Sequence, residues 1–327
     1  MDSTLYPMLF EPVYKDIMWG GTKMAGLGRD LPELENPIAE SWEITDRDNG
    51  QSVIENGEYA GKTLRDLIEM SPTSVVGPKH KADQPFPLLI KIIDAAQRLS
   101  LQVHPNEESC KILEGAEPKT EMWYVLDSDA NANIFAGLKA SATKQNFLEK
   151  MADPAVEDLL QSFPSRKGDA YFIPAGRIHA IGAGNLIYEV QQNSFTTYRV
   201  SDWGRVGKDG TPRELHVDEA LQSIHFTDRM QPRIAGDCSA ITRNKRNHLI
   251  TNCPFFTVEE LRLTGTFCDD TKQQSFHTLF STGADFEIAY DGGTVKVPGC
   301  RSVLIPASLG AYKLNVTEPT LILKSML

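Results

Sequence analysis

The sequence predicts a mainly β protein built from two antiparallel β-sandwich domains carrying a few short helices. Three observations predict it. Short β-like runs recur between Gly, Pro, Asn and Asp punctuation along the whole chain, a spacing that suits a sandwich or barrel rather than βαβ units. Helical patterns are few. A polar, irregular stretch after Ile224 separates the strands into two sets.

In the first set the expected strands are "SWEIT", "PLLIKIIDA", "LSLQVH", "TEMWYVLD", "DAYFIPAG", "NLIYEVQQ" and "TTYRVSD". Among them "TLRDLIEMSP" reads as a short amphipathic helix. "TKQNFLEKM" and "DPAVEDLLQSF" read as a helical pair, the second with Asp153 at its N-cap and Pro154 following. "HVDEALQSI" is a fourth helix. The connection "TDRMQPRIAGDCSAITRNKRN" leads to a second set: "FFTVEELRL", "SFHTLFSTG", "DFEIAYDGG", "TVKVPGCRSVLIPA", "AYKLNV" and "TLILKSM". Both halves place a Gly-containing turn before an apolar strand that ends in Pro and a small residue, "KGDAYFIPAG" and "VPGCRSVLIPAS". This is the pattern of a degenerate repeat whose second copy lacks the following histidine. The boundaries drawn are residues 1–235 and 236–327.

A chain of 327 residues that is 41% hydrophobic can bury a sizeable core. Its net charge of −11 argues against nucleic-acid or anionic-membrane partners, which would repel it at long range. A negatively charged small substrate would need a locally basic pocket. Asp2, Pro7, Glu11 and Pro12 break any secretion-signal pattern in the first residues, and "FPLLIKIIDAA" is too short and too charged to span a bilayer. The five cysteines, Cys110, Cys238, Cys253, Cys268 and Cys300, are scattered, odd in number and without CxxC spacing, as expected of reduced thiols in a cytoplasmic protein. The expected quaternary state is a monomer or weak homo-oligomer.

Chemistry concentrates in three segments of the first half. In "LSLQVHPNEE", side chains alternate along a strand, so Gln102 and His104 point the same way, opposite to Leu101 and Val103. In "KTEMWYVL", Lys119 and Glu121 share a strand face. In "IPAGRIHAIG", His179 follows a Gly-containing turn. Two imidazoles, a carboxylate and an amide oxygen suit zinc or a similar divalent ion. The alternative is that His104 caps a strand end, Glu121 sits on a solvated face and His179 satisfies a turn.

Taken together, "YKDIMWGG", "LSLQVHPNEE", "KTEMWYVL" and "GDAYFIPAGRIHAIGAGNLIYEVQQNSFTTYRVSDWGR" resemble the sequence blocks of type I mannose-6-phosphate isomerases, zinc enzymes of the cupin superfamily. The resemblance is strong over about the first two-thirds of the chain, and the length matches the short bacterial form. It implies two cupin-like jelly-roll domains, one zinc ion held by Gln102, His104, Glu121 and His179, and a sugar phosphate substrate. It places the family's active-site arginine on Arg199 and the lysine before the glutamate ligand on Lys119.

On this reading Arg199 binds the enediolate or the phosphate; its alternative is an ion pair with Asp202. Lys119 shuttles a proton if the nearby metal depresses its pKa, or simply orients a hydroxyl. Glu189 is a candidate base or a structural hydrogen-bonding group. Ser100, on the face of Gln102 and His104, and Lys91, in an otherwise apolar strand, are expected near the phosphate, Lys91 having surface snorkelling as its alternative. Trp19 lines the sugar pocket or packs in the core. His80, His216, His225, His248 and His277 are expected to be structural or exposed. The second domain is expected to carry no metal site. Two rivals remain: a non-catalytic cupin that binds sugar or regulates, and an iron-dependent oxygenase, for which histidine-rich coordination would stand in place of Gln102.

Overall fold

The computed structural model describes residues 5–151, 153–207 and 210–327. It is mainly β, two sandwiches stacked against each other. The first pairs a seven-stranded sheet, in the order Arg233–Ile234, Ala170–Ile173, Glu121–Ser128, Asn185–Gln192, Leu88–Ala95, Ile38–Ile44 and Val13–Asp16, with a five-stranded one. The five-stranded sheet runs Leu160–Pro164, Asn133–Leu138, His179–Ile181, Leu101–Val103 and Tyr198–Ser201. All pairings are antiparallel.

The seven-stranded sheet is covered on both faces, which explains why Leu88–Ala95 is buried at every position instead of alternating. Ile93, Trp123, Val125 and Ile187 pack inward against Ile134, Ala136 and Ile181 of the five-stranded sheet. Ile90, Met122, Tyr188 and Val190 pack the other way, against Phe256, Phe280, Leu304 and Leu323 of the second sandwich. The helices Lys144–Lys150 and Val217–Ser223 bury Phe147 and Ala220 on the outer face of the five-stranded sheet.

The second sandwich has a large sheet of Lys245–Ile250, Thr257–Leu263, Thr320–Met326, His277–Ser281, Ser302–Ile305, Met8–Glu11 and Val53–Ile54. A four-stranded sheet faces it. The boundary at residue 235 passes between Arg233–Ile234, on the first sandwich, and Lys245–Ile250, on the second. Met8–Glu11, from the chain's beginning, nevertheless pairs with Ser302–Ile305. One region of the second interior is polar: Lys324 Nζ lies 2.8 Å from both Glu259 Oε2 and Asp269 Oδ2, and His277 Nδ1 is 2.7 Å from the Tyr312 hydroxyl.

Three of the four expected helices form, Leu64–Met70 with a complete Thr63–Asp66 capping box. The segment 153–163 differs. Asp153 does cap a helical turn, but it is a 3₁₀ turn, Pro154–Leu159, followed by the strand Leu160–Pro164 on the edge of the five-stranded sheet. Leu159, Leu160 and Phe163 fit a helical spacing, and pairing of Phe163 with Ile134 overrides it. The connection after Ile224 ends inside the edge strand Lys245–Ile250, whose exposed and half-buried side chains hid its β character. All five cysteines are free thiols, and no helix among the described residues is long and apolar enough to cross a membrane.

Candidate active site

The three chemistry-bearing segments meet at one end of the first sandwich. Within the five-stranded sheet Gln102 stands directly between His179 on one neighbouring strand and Arg199 on the other. His104 follows on the same face, just past the end of its strand. Glu121 arrives from the facing sheet as the first residue of its strand, opposite Gln191 and Ile173. One ligand atom each from His104, Glu121 and His179 falls within a 4.8 Å group.

The imidazoles are fixed from behind. His104 Nδ1 donates to the Thr196 carbonyl at 2.9 Å and His179 Nδ1 to the Arg177 carbonyl at 2.8 Å. A carbonyl only accepts, so each Nδ1 carries the proton and each Nε2 presents a lone pair to the centre. There they meet a carboxylate: His179 Nε2 is 3.3 Å from Glu121 Oε1, and His104 Nε2 is 3.5 Å from Glu121 Oε2. Burial holds both imidazoles neutral, His179 down to about 4 and His104 well below its ordinary range. Burial opposes the charge of Glu121, yet the Lys119 ammonium outweighs it and brings the carboxyl to about 2. Three electron-pair donors therefore converge with no proton between them, and His104 Nε2 and Glu121 Oε1 are buried without a hydrogen-bond partner. That is the donor arrangement a divalent cation completes. The Gln102 amide reaches the same point, its Nε2 3.2 Å from His179 Nε2, while its oxygen accepts from Ser100 at 3.3 Å. A half-turn of the amide exchanges the two atoms.

Above this centre opens a cavity of about 270 Å³. It is lined by every other residue singled out from sequence: Trp19, Lys91, Ser100, Lys119, Glu189 and Arg199, with Gln102 and Glu121 at its floor. Lys119 Nζ sits 2.8 Å from Glu121 Oε2 and 3.6 Å from Glu189 Oε1. Lys91 Nζ sits 3.8 Å from Glu189 Oε2 and 3.5 Å from Glu40 Oε2. The result is a buried row of alternating charge, Glu40, Lys91, Glu189, Lys119, Glu121. Lys91 thus does not snorkel; it is buried among carboxylates. Burial raises the Glu189 carboxyl despite Lys91 and Lys119.

Arg199 is not paired with Asp202. That carboxylate is taken by Arg205 at 2.5 Å and bidentately by Arg213, Nε at 2.9 Å. Arg199 donates through Nη1 to the Glu214 carbonyl at 2.6 Å and leaves a buried Nε unpartnered. Sequence reasoning passed over Glu40, Phe195 and Arg213, which also line the cavity. Arg213 sits in the polar loop "GTPREL", where no periodicity marks it. Phe195 is an exposed aromatic in a strand connection, where no sequence periodicity marks it either. Four basic side chains, Lys91, Lys119, Arg199 and Arg213, line the cavity against three acidic ones, a locally basic patch on an acidic protein.

Comparison with known proteins places this geometry. A family model, phosphomannose isomerase type I, catalytic domain, matches residues 8–133. The mannose-6-phosphate isomerase ManA of Bacillus subtilis is 36% identical over 319 residues, 95% of this chain and 96% of that protein. This chain belongs to the mannose-6-phosphate isomerase family. The Streptococcus mutans mannose-6-phosphate isomerase is 34% identical over 80% of each chain. The crystal structure of the Bacillus subtilis mannose 6-phosphate isomerase superimposes with a TM-score of 0.86 at 28% identity, covering 98% of this chain and 99% of that one. Family membership and fold therefore rest on nearly the full length.

Proposed function

We propose that the chain is a zinc-dependent aldose–ketose isomerase interconverting mannose 6-phosphate and fructose 6-phosphate through a cis-enediol. The observation that carries this reading is the convergence of His104 Nε2, His179 Nε2 and Glu121, unprotonated and facing one another, with Glu121 and Gln102 lining a cavity that four basic side chains share and the two imidazoles buried behind them. Gln102, His104, Glu121 and His179 would hold the ion, and the mixed nitrogen and oxygen donors suit zinc. When bound, the ion supplies charge stabilisation to the sugar oxygens without redox chemistry.

The chain's own residues account for the rest. Moving a proton between C1 and C2 leaves negative charge on oxygen, and Arg199, permanently charged and short of partners, meets that charge. Lys119 and Glu189, 3.6 Å apart, are the groups that handle protons and orient hydroxyls. Arg213, Lys91 and Ser100 receive the phosphate, and Trp19 closes one wall. Residues 1–235 carry the site, and 236–327 buttress it without a metal centre of their own.

A coupled assay of mannose 6-phosphate conversion before and after chelation tests the proposal. Turnover that disappears with chelation and returns with zinc supports it. Metal-replete protein that binds the sugar but does not convert it rejects the isomerase in favour of a non-catalytic sugar-binding cupin.

A further inference from the structure

The cavity wall that carries Ile17 and Trp19 is not a strand. It is a loop running from Ile17 into the 3₁₀ turn Lys23–Leu27, and an aromatic wall on a loop must be fixed by something. Asp94, near the end of the strand Leu88–Ala95, is a carboxylate only 1% exposed, and its Oδ2 accepts the Met24 N–H at 3.0 Å. The loop backbone lies directly on that carboxylate: a Cβ on Gly21 would stand 2.2 Å from Asp94 Oδ1. Gly20 is pressed as closely on the neighbouring strand, where a Cβ would stand 2.3 Å from the Pro37 carbonyl oxygen. Three residues past Asp94, the Gln97 N–H and side-chain amide donate to the Trp19 and Met18 carbonyls, each at 3.2 Å. Lys23 adds a second pin, to Asp127 at 2.5 Å and Asp129 at 2.9 Å, but those carboxylates are more than half exposed. A charge-assisted hydrogen bond made by a buried carboxylate outweighs exposed ion pairs.

We propose that Asp94 is a positioning residue: by holding the backbone of Gly21–Met24 it sets Trp19 against the cavity and thereby fixes how tightly the sugar phosphate is held. The inference rests on the cavity's being the sugar site. Lys119, Arg199 and Glu121 stand on or beside sheet strands rather than on this loop. Loosening it therefore removes binding common to ground and transition states, and KM rises while kcat holds.

The test is a double-mutant cycle on the metal-loaded enzyme, read by steady-state kinetics and by hydrogen exchange at the Met24 amide. Asp94→Ala raises KM roughly tenfold with kcat within about threefold, speeds exchange at Met24 and leaves metal content unchanged. Trp19→Ala raises KM at least as much, and adding Asp94→Ala to it raises KM no further. Lys23→Ala, which cuts the exposed pairs and keeps the Asp94–Met24 hydrogen bond, leaves KM within about twofold. Should Asp94→Ala fail to fold, Gly21→Ala perturbs the same contact from the loop side and carries the same expectations. The proposal is overturned if Met24 exchange rises while KM stays put, or if the two KM effects multiply. A Trp19→Ala variant with unchanged KM overturns it differently, by removing Trp19 from the sugar site.

Discussion

Replacing Arg199 by alanine should cost rate without costing metal. Its Cα is paired with that of Gln102, so the guanidinium rises from the row that also carries the proposed ligands. Among the described residues the guanidinium donates to the Glu214 carbonyl alone, and no carboxylate lies within ion-pair distance. Burial and the nearby Arg213 hold its pKa below the ordinary arginine value, the signature of a charge that lacks local compensation. Losing the bond to Glu214 costs folding about 1 kcal/mol. Losing a fixed donor from charge that develops on oxygen costs ~3–4 kcal/mol in the barrier, roughly 10²–10³ in kcat. The second effect dominates, so the variant should fold, bind its full complement of metal and turn over at least a hundredfold more slowly. Arg199→Lys, which keeps the charge but not the planar fork, should fall between the two. Coupled kinetics beside elemental analysis make the measurement. A kcat within about threefold of wild type, or loss of metal together with rate, would refute the reasoning.

Three further outcomes follow from the same geometry. His179→Ala removes a lone pair from the converging set and should lose metal and activity together while the sandwich folds, as elemental analysis, kinetics and circular dichroism would show. Lys324→Met takes their buried cation from Glu259 and Asp269, leaving Arg246 as the partner they still share, and should cost about 3 kcal/mol in urea unfolding, the low end for breaking a buried ion pair; an unchanged midpoint would contradict that account. Burial, with Lys324 adding to it, lowers His277 to about 4, so the unfolded chain binds this proton more readily and stability is lost as pH falls from about 6.5 through 4. Wild type should therefore lose ~2 kcal/mol more than His277→Gln between pH 7 and pH 5, and equal losses would remove His277 as the cause.

Much of the fold was legible because strands and turns leave local marks. Leu88–Ala95 and Asn185–Gln192, and in the second half Thr257–Leu263, His277–Ser281, Phe286–Tyr290 and Thr320–Met326, lie within apolar runs bounded by turn residues, and they form where those runs stand. What local pattern could not give was tertiary. The edge strands Leu160–Pro164 and Lys245–Ile250 take their conformation from one neighbour each, so their sequences read as helix and as linker. Met8–Glu11 joins a sheet some three hundred residues away, a pairing that no short window reports. In the site, alternation along one strand put Gln102 and His104 on a common face, and the fold brings Glu121 and His179 to them. Glu40 and Arg213 escaped notice because their place in the cavity is set by cross-strand neighbours and by Asp202, not by spacing.

The most direct test of the central claim is an anomalous-difference map at the zinc absorption edge from crystals of the metal-loaded protein. A single peak at about 2.0–2.2 Å from His104 Nε2, His179 Nε2, a Glu121 oxygen and the Gln102 amide oxygen is the expected result. No peak there, or a peak elsewhere while the enzyme remains fully active, would contradict it.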